Sequence, residues 1–391
     1  MSSPNITLAC GALLLCLTGC HSPRVAKSGD PAPRQSVHIP IDTITSLAVS
    51  QLVDTFQVVP IRVPPDERIG KIARICPGPA HSLFILDKVG PTIHVIDGSG
   101  QYLYSINHSG SGPGNYRNIS DMQIDPDGHS IGIIDPLQAK FMRFDLHGKL
   151  ITEYSLVGTA GIANFSFLSD GEIAFSRSIP PDRDDLQYSI TIMSPDMHRK
   201  RRLLHYDQSS SSVLSADYPF QYVGGHAYYL PVYRPEIDRI DSGDIFPEYG
   251  LDFGGKWITP DYAYRSSHTE DNHWIRAELP HSGFVYFVNY ALLTSHLLLY
   301  YSYEGRDYLS LVDRRTGNER HTRLGNDFSL LGFSADNTAV INDSLYVACV
   351  PDCSRLSQLT DGKYGPALRA LAASSGAQNP VLLFTTFKRI P

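Results

Sequence analysis

Short apolar runs separated by polar turns fill the chain from about residue 72 to residue 156. Residues 83–86, 93–96 and 102–106 are such runs, and Asp97-Gly98-Ser99-Gly100 separates the last two. Runs of about four to eight apolar residues between turn residues are typical of β-strands, and an Asp-Gly pair favours a tight hairpin turn. The pattern therefore predicts a series of short antiparallel strands.

The same pattern recurs after 48 residues. Residues 81–100 align with residues 129–148 without a gap, and six of the twenty positions are identical. The identical pairs are His81 and His129, Ser82 and Ser130, Ile85 and Ile133, Asp87 and Asp135, Asp97 and Asp145, and Gly100 and Gly148. The second unit has its strands at 131–134, 141–144 and 150–154, and one further strand precedes each unit, at 72–76 and 122–125. Four antiparallel strands in every 40 to 50 residues or so predict a β-propeller blade.

Weaker copies of this unit continue to the end of the chain. The third, fourth and fifth units lie at residues 166–206, 222–254 and 282–324. The sixth, at 342–351 and 380–388, lacks a strand that residues 56–63 can supply. Pairing the two ends of the chain in this way removes exposed edge strands. We therefore predict an all-β, six-bladed β-propeller with four-stranded antiparallel blades, closed by its N- and C-terminal strands.

Aspartates recur at equivalent positions of the first two units. Asp87 and Asp135 end the second strands, and Asp97 and Asp145 open hairpin turns. A single active site would break the symmetry of the units, whereas a carboxylate that binds local backbone amides would recur in each of them. We therefore predict a structural role for these aspartates.

The connection between the first two units, residues 107–128, contains three alternating glycines. It lacks the strand-to-helix context and the following Lys-Ser or Lys-Thr of phosphate-binding loops. The glycines instead let the backbone adopt positive φ while it crosses between blades. Asn115, Tyr116 and Arg117 follow and are candidate ligand-binding residues. The alternative is that Tyr116 packs between blades and Arg117 pairs with an aspartate.

The chain begins with an apolar run at residues 6–17. This run is shorter than the 20 residues or so that span a bilayer, and it is typical of a secretory signal. It ends in Leu17-Thr18-Gly19-Cys20, which resembles the lipobox of bacterial lipoproteins. The resemblance implies cleavage before Cys20 and lipidation of that cysteine, which would anchor the chain in a membrane. An N-terminal hydrophobic strand is the alternative.

These boundaries predict three parts of the chain. A signal peptide covers residues 1–19, and a flexible tether rich in Pro, Ser and Gly covers residues 20–40. A single propeller domain follows at 41–391, with an insertion near 255–282. Residues 279–303 contain no Asp, Glu, Lys or Arg. Because polar residues and a turn interrupt this segment, we assign it to strands of the fifth blade rather than to a membrane helix.

The charge of the chain excludes one class of partner. The 391 residues include 33 Lys and Arg against 40 Asp and Glu, a net charge of -7. Proteins that bind nucleic acids carry a basic patch, and this chain has no such excess of positive charge. We therefore predict no nucleic-acid partner.

Candidate chemistry is concentrated in the insertion. His268, Glu270, Asp271 and His273 are candidate metal ligands, and the alternative is a solvated polar loop. The sequence leaves the cofactor open: a divalent metal such as Ca²⁺ is compatible with the chain but is not indicated by it.

The chain has two tryptophans, Trp257 and Trp274, and both belong to the same insertion. Aromatic rings of this kind can stack on sugars, so both are candidate ligand-binding residues. The alternative is that they pack the insertion onto the propeller.

Three cysteines lie beyond Cys20. Cys349 and Cys353 stand in a tight CVPDC turn that could close a disulfide in an oxidising envelope, and Cys76 is left alone. No G-x-S-x-G, H-E-x-x-H or Ser-His-Asp order occurs, so the sequence indicates no catalytic residue.

The first two units, with G-S-G-P-G-N-Y at 110–116 between them, resemble the six-bladed β-propeller lipoproteins of Bacteroidota, relatives of the NHL-type propellers. The resemblance implies an envelope protein at the outer membrane, on its periplasmic face or on the cell surface, often encoded beside nutrient-uptake or glycan-degradation systems. One hypothesis is a non-catalytic module that binds a glycan, a peptide or a partner protein. The other is a metal-assisted, lactonase-like hydrolase or a polysaccharide lyase that uses the channel face.

Overall fold

The structure is a computed structural model that describes residues 32–391 except 65, 157–160, 178–187, 199, 206–217, 232–233, 242, 260–261, 263–276, 334–337, 342–344 and 375–379. Its described strands form six sheets, five of four strands and one of five. The prediction of an all-β, six-bladed propeller with four-stranded antiparallel blades is confirmed.

The strands follow the predicted order. Two precede the repeated units, β1 (Gln35–His38) and β2 (Val53–Pro60). Blade 1 contains β3 (Ile72–Pro77), β4 (Leu83–Asp87), β5 (Thr92–Ile96) and β6 (Tyr102–Ile106). Blade 2 contains β7 (Asp121–Ile124), β8 (Ser130–Asp135), β9 (Lys140–Asp145) and β10 (Leu150–Ser155). Blade 3 contains β11 (Ile162–Phe167), β12 (Ile173–Arg177), β13 (Tyr188–Met193) and β14 (Lys200–His205).

The second half of the ring repeats the arrangement. Blade 4 contains β15 (Phe220–Val223), β16 (His226–Tyr229), β17 (Glu236–Asp241) and β18 (Asp244–Asp252). Blade 5 contains β19 (Tyr286–Leu292), β20 (His296–Tyr303), β21 (Arg306–Asp313) and β22 (Glu319–Arg323). Blade 6 contains β23 (Thr338–Ile341), β24 (Leu345–Val350) and β25 (Val381–Phe387), with β2 as its outermost strand.

The first strand of each blade lies innermost. The strands β3, β7, β11, β15, β19 and β23 contact one another in a closed ring. Each pair of neighbouring blades encloses its own hydrophobic cluster, and six such clusters fill the six interfaces. Since each blade is covered on both faces, a strand in the middle of a blade, such as β4 (Leu83–Asp87), is buried along its whole length. This explains why the sequences of such strands are continuous apolar runs.

The ring is closed by the two ends of the chain, as predicted. Strand β2 pairs with β25 in an antiparallel register that joins Val53 to Phe387 and Pro60 to Val381. The strand lies slightly earlier in the chain than the predicted 56–63. The last blade therefore combines three C-terminal strands with one N-terminal strand, which ties the ends together.

The tether predicted for residues 20–40 is wrong in its last part. Strand β1 pairs in parallel with β18, from Gln35 opposite Tyr249 to His38 opposite Asp252, and makes blade 4 five-stranded. The chain then crosses the edge of blade 5. There the backbone amide of Leu47 donates to the Thr322 hydroxyl, and the backbone amide of Arg323 donates to the carbonyl oxygen of Thr45. Residues 35–52 thus form a belt that leads from blade 4 to blade 6. A four-residue strand in a stretch rich in polar residues carries too weak an apolar pattern to be recognised in sequence.

Three short α-helices accompany the strands in the part of the chain that the structure describes. They are α1 (Val49–Leu52), α2 (Asn326–Leu330) and α3 (Gly365–Ser374). Single turns of 3-10 helix occur at Ile41–Thr43, Pro79–His81 and Leu279–His281, and a longer one at Cys353–Gln358. Helix α3 belongs to a second insertion, between β24 and β25, which the sequence reading missed. Its Leu368 packs into the cluster between blades 5 and 6.

The recurring aspartates have the structural role that was predicted. Asp97 accepts the backbone amides of Ser99 and Gln101, and Asp145 accepts the equivalent pair in blade 2. Asp87 accepts the amides of Gly70 and Lys71, so it joins the end of β4 to the connection that enters blade 1. These carboxylates stabilise turns and blade connections.

The segment 279–303, which lacks Asp, Glu, Lys and Arg, forms a 3-10 turn and the first two strands of blade 5, and the assignment to strands of this blade was predicted. The residues that the structure describes include no helix that is long and apolar enough to cross a membrane.

Cys349 and Cys353 are both buried, and the disulfide considered for them is not formed in this structure. Cys349 packs into the cluster between blades 6 and 1, whereas Cys353 packs into the cluster between blades 5 and 6. Their side chains therefore enter different hydrophobic clusters despite their proximity in sequence. Cys76 is a buried free thiol.

Candidate functional site

A cavity of about 390 Å³ occupies the central channel. Inner strands of blades 1, 2, 4, 5 and 6 line it, together with the turns at residues 77–79 and 125–128 that end the first strands of blades 1 and 2. This volume falls within the range of about 300–1,000 Å³ that is usual for small-molecule sites. Its polar lining residues are Arg74, Gln123, Asp125, Tyr218, Gln221, Tyr222, Asn289 and Tyr290.

Arg74 reaches across the channel. Its guanidinium lies 4.3 Å from the centre of the Tyr218 ring, so it joins blade 1 to the chain entering blade 4, on the opposite side of the ring. Its Nε donates to the carbonyl oxygen of Met122 at 2.9 Å and lies 3.1 Å from Oδ1 of Asp121. A cation over an aromatic face is attractive, and more so away from water. Arg74 and Tyr218 therefore form a contact across the channel, between blades 1 and 4.

Asp121 is the buried partner of Arg74, with 1% of its side chain exposed. Its other carboxylate oxygen accepts the backbone amide of Phe165 at 3.1 Å, so it also links blade 2 to blade 3. Burial raises the pKa of the Asp121 carboxyl to about 6, although the charge of Arg74 opposes the rise. Breaking such a buried pair by removing one partner is costly, because the other charge is left without compensation.

Side-chain amides connect the inner strands around the cavity. The Gln221 amide donates to the carbonyl oxygen of Leu292 and accepts the amide N–H of the same residue, both at 2.7 Å. The Gln123 amide donates to the carbonyl oxygen of Phe165 at 2.6 Å. Tyr290 donates to the carbonyl oxygen of Pro219 at 3.2 Å, and burial raises its pKa well above the usual value. These groups hold the channel wall together.

Other polar groups on the cavity wall keep unused hydrogen-bonding capacity. Within the described part of the chain, no hydrogen bond is made by the side-chain amide of Asn289 or the hydroxyl of Tyr222. Besides its Nε contacts, the Arg74 guanidinium has only the sulfur of Cys76, a weak acceptor, as a hydrogen-bond partner there. Three such groups around one cavity, beside the rings of Tyr218 and Tyr290, can bind a small polar molecule.

The sequence reading missed this site. Its residues are single polar side chains inside otherwise apolar inner strands, as Arg74 is in Ile72–Pro77 and Asn289 is in Tyr286–Leu292. A polar residue in a strand that is buried on both faces is a signal that could have been found. Which of these residues meet depends on blades that are distant in sequence.

The candidates in the glycine-rich connection lie elsewhere. Tyr116 is fully buried between blades 1 and 2, where its hydroxyl donates to the carbonyl oxygen of Ile106 and accepts the amide of His108. The amide of Arg117 donates to Asp135 at 2.7 Å, while its side chain is exposed. The alternative of a packing role for Tyr116 is therefore the one observed.

Asn115 likewise belongs to the crossing between blades rather than to the cavity. Its carbonyl oxygen accepts a hydrogen bond from the side chain of Gln138 at 3.2 Å. None of the residues Asn115, Tyr116 and Arg117 lines the channel cavity.

The candidates in the insertion are only partly described. Trp257 packs 5.6 Å from the ring of Phe253 at the interface of blades 4 and 5, which supports its packing role. Trp274 and the candidate ligands His268, Glu270, Asp271 and His273 lie outside the described residues, as does Cys20. Within the residues that are described, no three or more His, Cys, Asp or Glu side chains are grouped to hold a metal ion.

Comparisons with known proteins agree with the architecture. The model of the family DUF5128, described as a 6-bladed beta-propeller, matches residues 33–345. A structure of a protein from Bacteroides fragilis, described as exported, is similar with a TM-score of 0.75 at 17% identity, covering 91% of this chain and 99% of that one. A DUF4221 family member from Bacteroides vulgatus has a TM-score of 0.57 at 10% identity, covering 86% and 97%. No curated protein matches the sequence.

Proposed function

Because the chain belongs to the six-bladed beta-propeller family DUF5128, we propose that it is a binding module that takes a carbohydrate unit into its central channel. The observation that carries the proposal is the cavity of about 390 Å³, in which unused hydrogen-bonding groups stand beside tyrosine rings. Sugars present hydroxyl groups along their edges and C–H groups on their faces. Polar groups next to aromatic rings suit both.

The polar groups of the cavity divide into two sets. Gln123, Gln221 and Tyr290 are committed to backbone atoms and shape the wall. Arg74, Asn289 and Tyr222 retain capacity for a ligand. A site that is already held by its own hydrogen bonds loses little entropy when a ligand binds. This division favours recognition of a small ligand by a preformed channel.

Replacing Asn289 by alanine tests the proposed site. A glycan array and isothermal titration calorimetry would first identify a sugar that binds the full chain. We expect Asn289→Ala to weaken that binding about tenfold, which corresponds to the loss of about one hydrogen bond. The matched control is Asn115→Ala, which lies outside the cavity and should leave the affinity unchanged. Weaker binding by Asn115→Ala, with Asn289→Ala unaffected, would place the site in the glycine-rich connection instead.

We further propose that the chain is an envelope lipoprotein, held at the outer membrane through acyl chains on Cys20. The proposal is supported by the apolar run at residues 6–17 followed by Leu17-Thr18-Gly19-Cys20. The description of the structurally similar Bacteroides fragilis protein as exported agrees with it. Two or more buried acyl chains hold a protein on a membrane effectively permanently, since each buried methylene contributes about 0.8 kcal/mol.

Replacing Cys20 by serine should release the chain from the membrane. Fractionation of cells that produce the full chain, followed by immunoblotting, would locate it. We expect the unchanged chain in the membrane fraction and Cys20→Ser in the soluble fraction or uncleaved. Cys10→Ser, inside the signal, is the matched control and should behave as the unchanged chain. Membrane association of a cleaved Cys20→Ser chain, equal to that of the other two chains, would refute the lipid anchor.

A further inference from the structure

The guanidinium of Arg74 is only partly satisfied by the protein. Its Nε is occupied by Asp121 and by the carbonyl oxygen of Met122. Within the described part of the chain, its two terminal amino groups have only the sulfur of Cys76, a weak acceptor, as a further hydrogen-bond partner, and the residue lines the cavity. With 12% of the side chain exposed, these donors are largely withdrawn from solvent. A guanidinium presents its donors as a rigid fork that matches a carboxylate.

The other charged group on the cavity wall is already neutralised. Asp125 lies 3.0 Å from the Arg143 guanidinium and accepts a hydrogen bond from the Ser130 hydroxyl at 2.7 Å. Its second carboxylate oxygen accepts the backbone amide of His129 at 2.8 Å. Among the charged residues known to line the cavity, Arg74 is therefore the one with free hydrogen-bonding groups. Among its described lining residues, the cavity has a cationic donor with unused capacity but no unused carboxylate.

We propose that the ligand carries a carboxylate, which binds the terminal amino groups of Arg74, so that the sugar recognised is a hexuronate unit of an acidic glycan. This inference rests on the proposed carbohydrate-binding function and specifies its ligand. Asn289 and Tyr222 then serve the hydroxyl groups of the same unit. A charge-assisted pair of hydrogen bonds is roughly twice as strong as a neutral pair, which makes Arg74 the main source of discrimination.

Asp121 makes this binding depend on pH. The groups that face it are the Arg74 guanidinium, the Cys76 thiol, the Asn164 side chain and the backbone amides of Met122 and Phe165. A carboxylate bound to Arg74 adds a second negative charge near Asp121 and further raises its pKa, which burial has already raised to about 6. Binding is therefore linked to proton uptake. The affinity for the acid should increase as the pH falls from about 7.5 to about 5.5, because the sugar carboxylate itself stays ionised.

Calorimetric titration of the full chain with matched sugars tests the inference. The probes are two pairs of sugars, glucuronate with glucose and galacturonate with galactose. Within each pair the sugars differ only at C6, which is a carboxylate in the acid and a hydroxymethyl group in the neutral sugar. We expect the acid of one pair to bind at least about tenfold more tightly than its neutral partner, and more tightly at pH 5.5 than at pH 7.5. A neutral partner that bound as tightly as its acid would overturn the inference.

Two variants connect the preference to Arg74. The single change Arg74→Gln leaves Asp121 buried without a partner and can impair folding. The double variant Arg74→Gln/Asp121→Asn removes both charges and keeps a polar side chain at each position, and it should fold, bind acid and neutral sugars alike, and lose the pH dependence. Arg117→Gln, with its exposed side chain outside the cavity, is the matched control and should keep both properties.

The outcomes separate this inference from the function on which it rests. Binding of neutral sugars without preference for the acid, reduced by Asn289→Ala, would overturn the carboxylate and retain the carbohydrate site. Binding of no acidic or neutral sugar would overturn both. A preference for the acid that persists in the double variant would place the carboxylate site away from Arg74 and refute the inference.

Discussion

Replacing Tyr116 by alanine should lower the free energy of unfolding by about 3–5 kcal/mol, the usual cost of removing a large buried aromatic side chain. Tyr116 is 0% exposed and packs against Phe144 with ring centres 6.3 Å apart and rings perpendicular. Its cluster joins blades 1 and 2, so the substitution opens a cavity at an interface between blades. Its hydroxyl also donates a hydrogen bond to the carbonyl oxygen of Ile106 and accepts one from the backbone amide of His108.

Denaturant unfolding followed by circular dichroism would measure this loss. Tyr116→Phe keeps the ring and should cost only about 1 kcal/mol for its hydrogen bonds. Arg117→Ala, at the neighbouring exposed position, should change the free energy by no more than about 0.5 kcal/mol. Equal effects of Tyr116→Ala and Arg117→Ala would show that the ring does not support the interface.

Replacing Val37 by aspartate should detach β1 from blade 4 and lower the free energy of unfolding by about 2–3 kcal/mol, the contribution of one buried valine side chain. Val37 is 0% exposed and packs in the cluster between blades 4 and 5, next to Ile39. A carboxylate there would lose its water without gaining a partner, so the strand should leave the sheet rather than bury the charge. The belt would then be open to solvent while the blades remain folded.

Thermal melting and hydrogen exchange would test this prediction. Faster exchange should be confined to residues 35–41 in Val37→Asp. The control is Ser36→Asp, because Ser36 is exposed on the same strand and carries the same new charge outward. Unchanged exchange in Val37→Asp, or equal destabilisation by Ser36→Asp, would contradict a role for β1 in holding the belt.

The strands of blades 1 and 2 could be predicted closely from sequence because their signals are local. Alternating apolar runs and Asp-Gly turns depend on residues within a few positions of one another, and the repeat after 48 residues supplied the same signal twice. The structural role of Asp97 and Asp145 followed in the same way, since a turn aspartate binds amides two to four residues away. Ring closure was predictable because the sixth unit lacked a strand.

The belt and the helical insertion were missed for a different reason. Strand β1 exists because β18 offers it an edge and because Val37 enters a cluster formed by two blades. Helix α3 is ordered in the same way by residues of blades 5 and 6 that surround Leu368. Short elements of this kind depend on tertiary packing more than on their own propensity.

The sequence by itself determined the architecture of this protein: the repeat, the strand order, the number of blades and the closure of the ring. Only the tertiary structure decided which residues form the channel site and which merely pack. Tyr116 is buried between two blades, and the Arg74 guanidinium lies over the ring of Tyr218, which belongs to the opposite side of the propeller. The physical reason is the distance in sequence between the residues that interact. Strands and turns are encoded by neighbouring residues, whereas a channel is formed by side chains from separate blades that come together only when the ring closes.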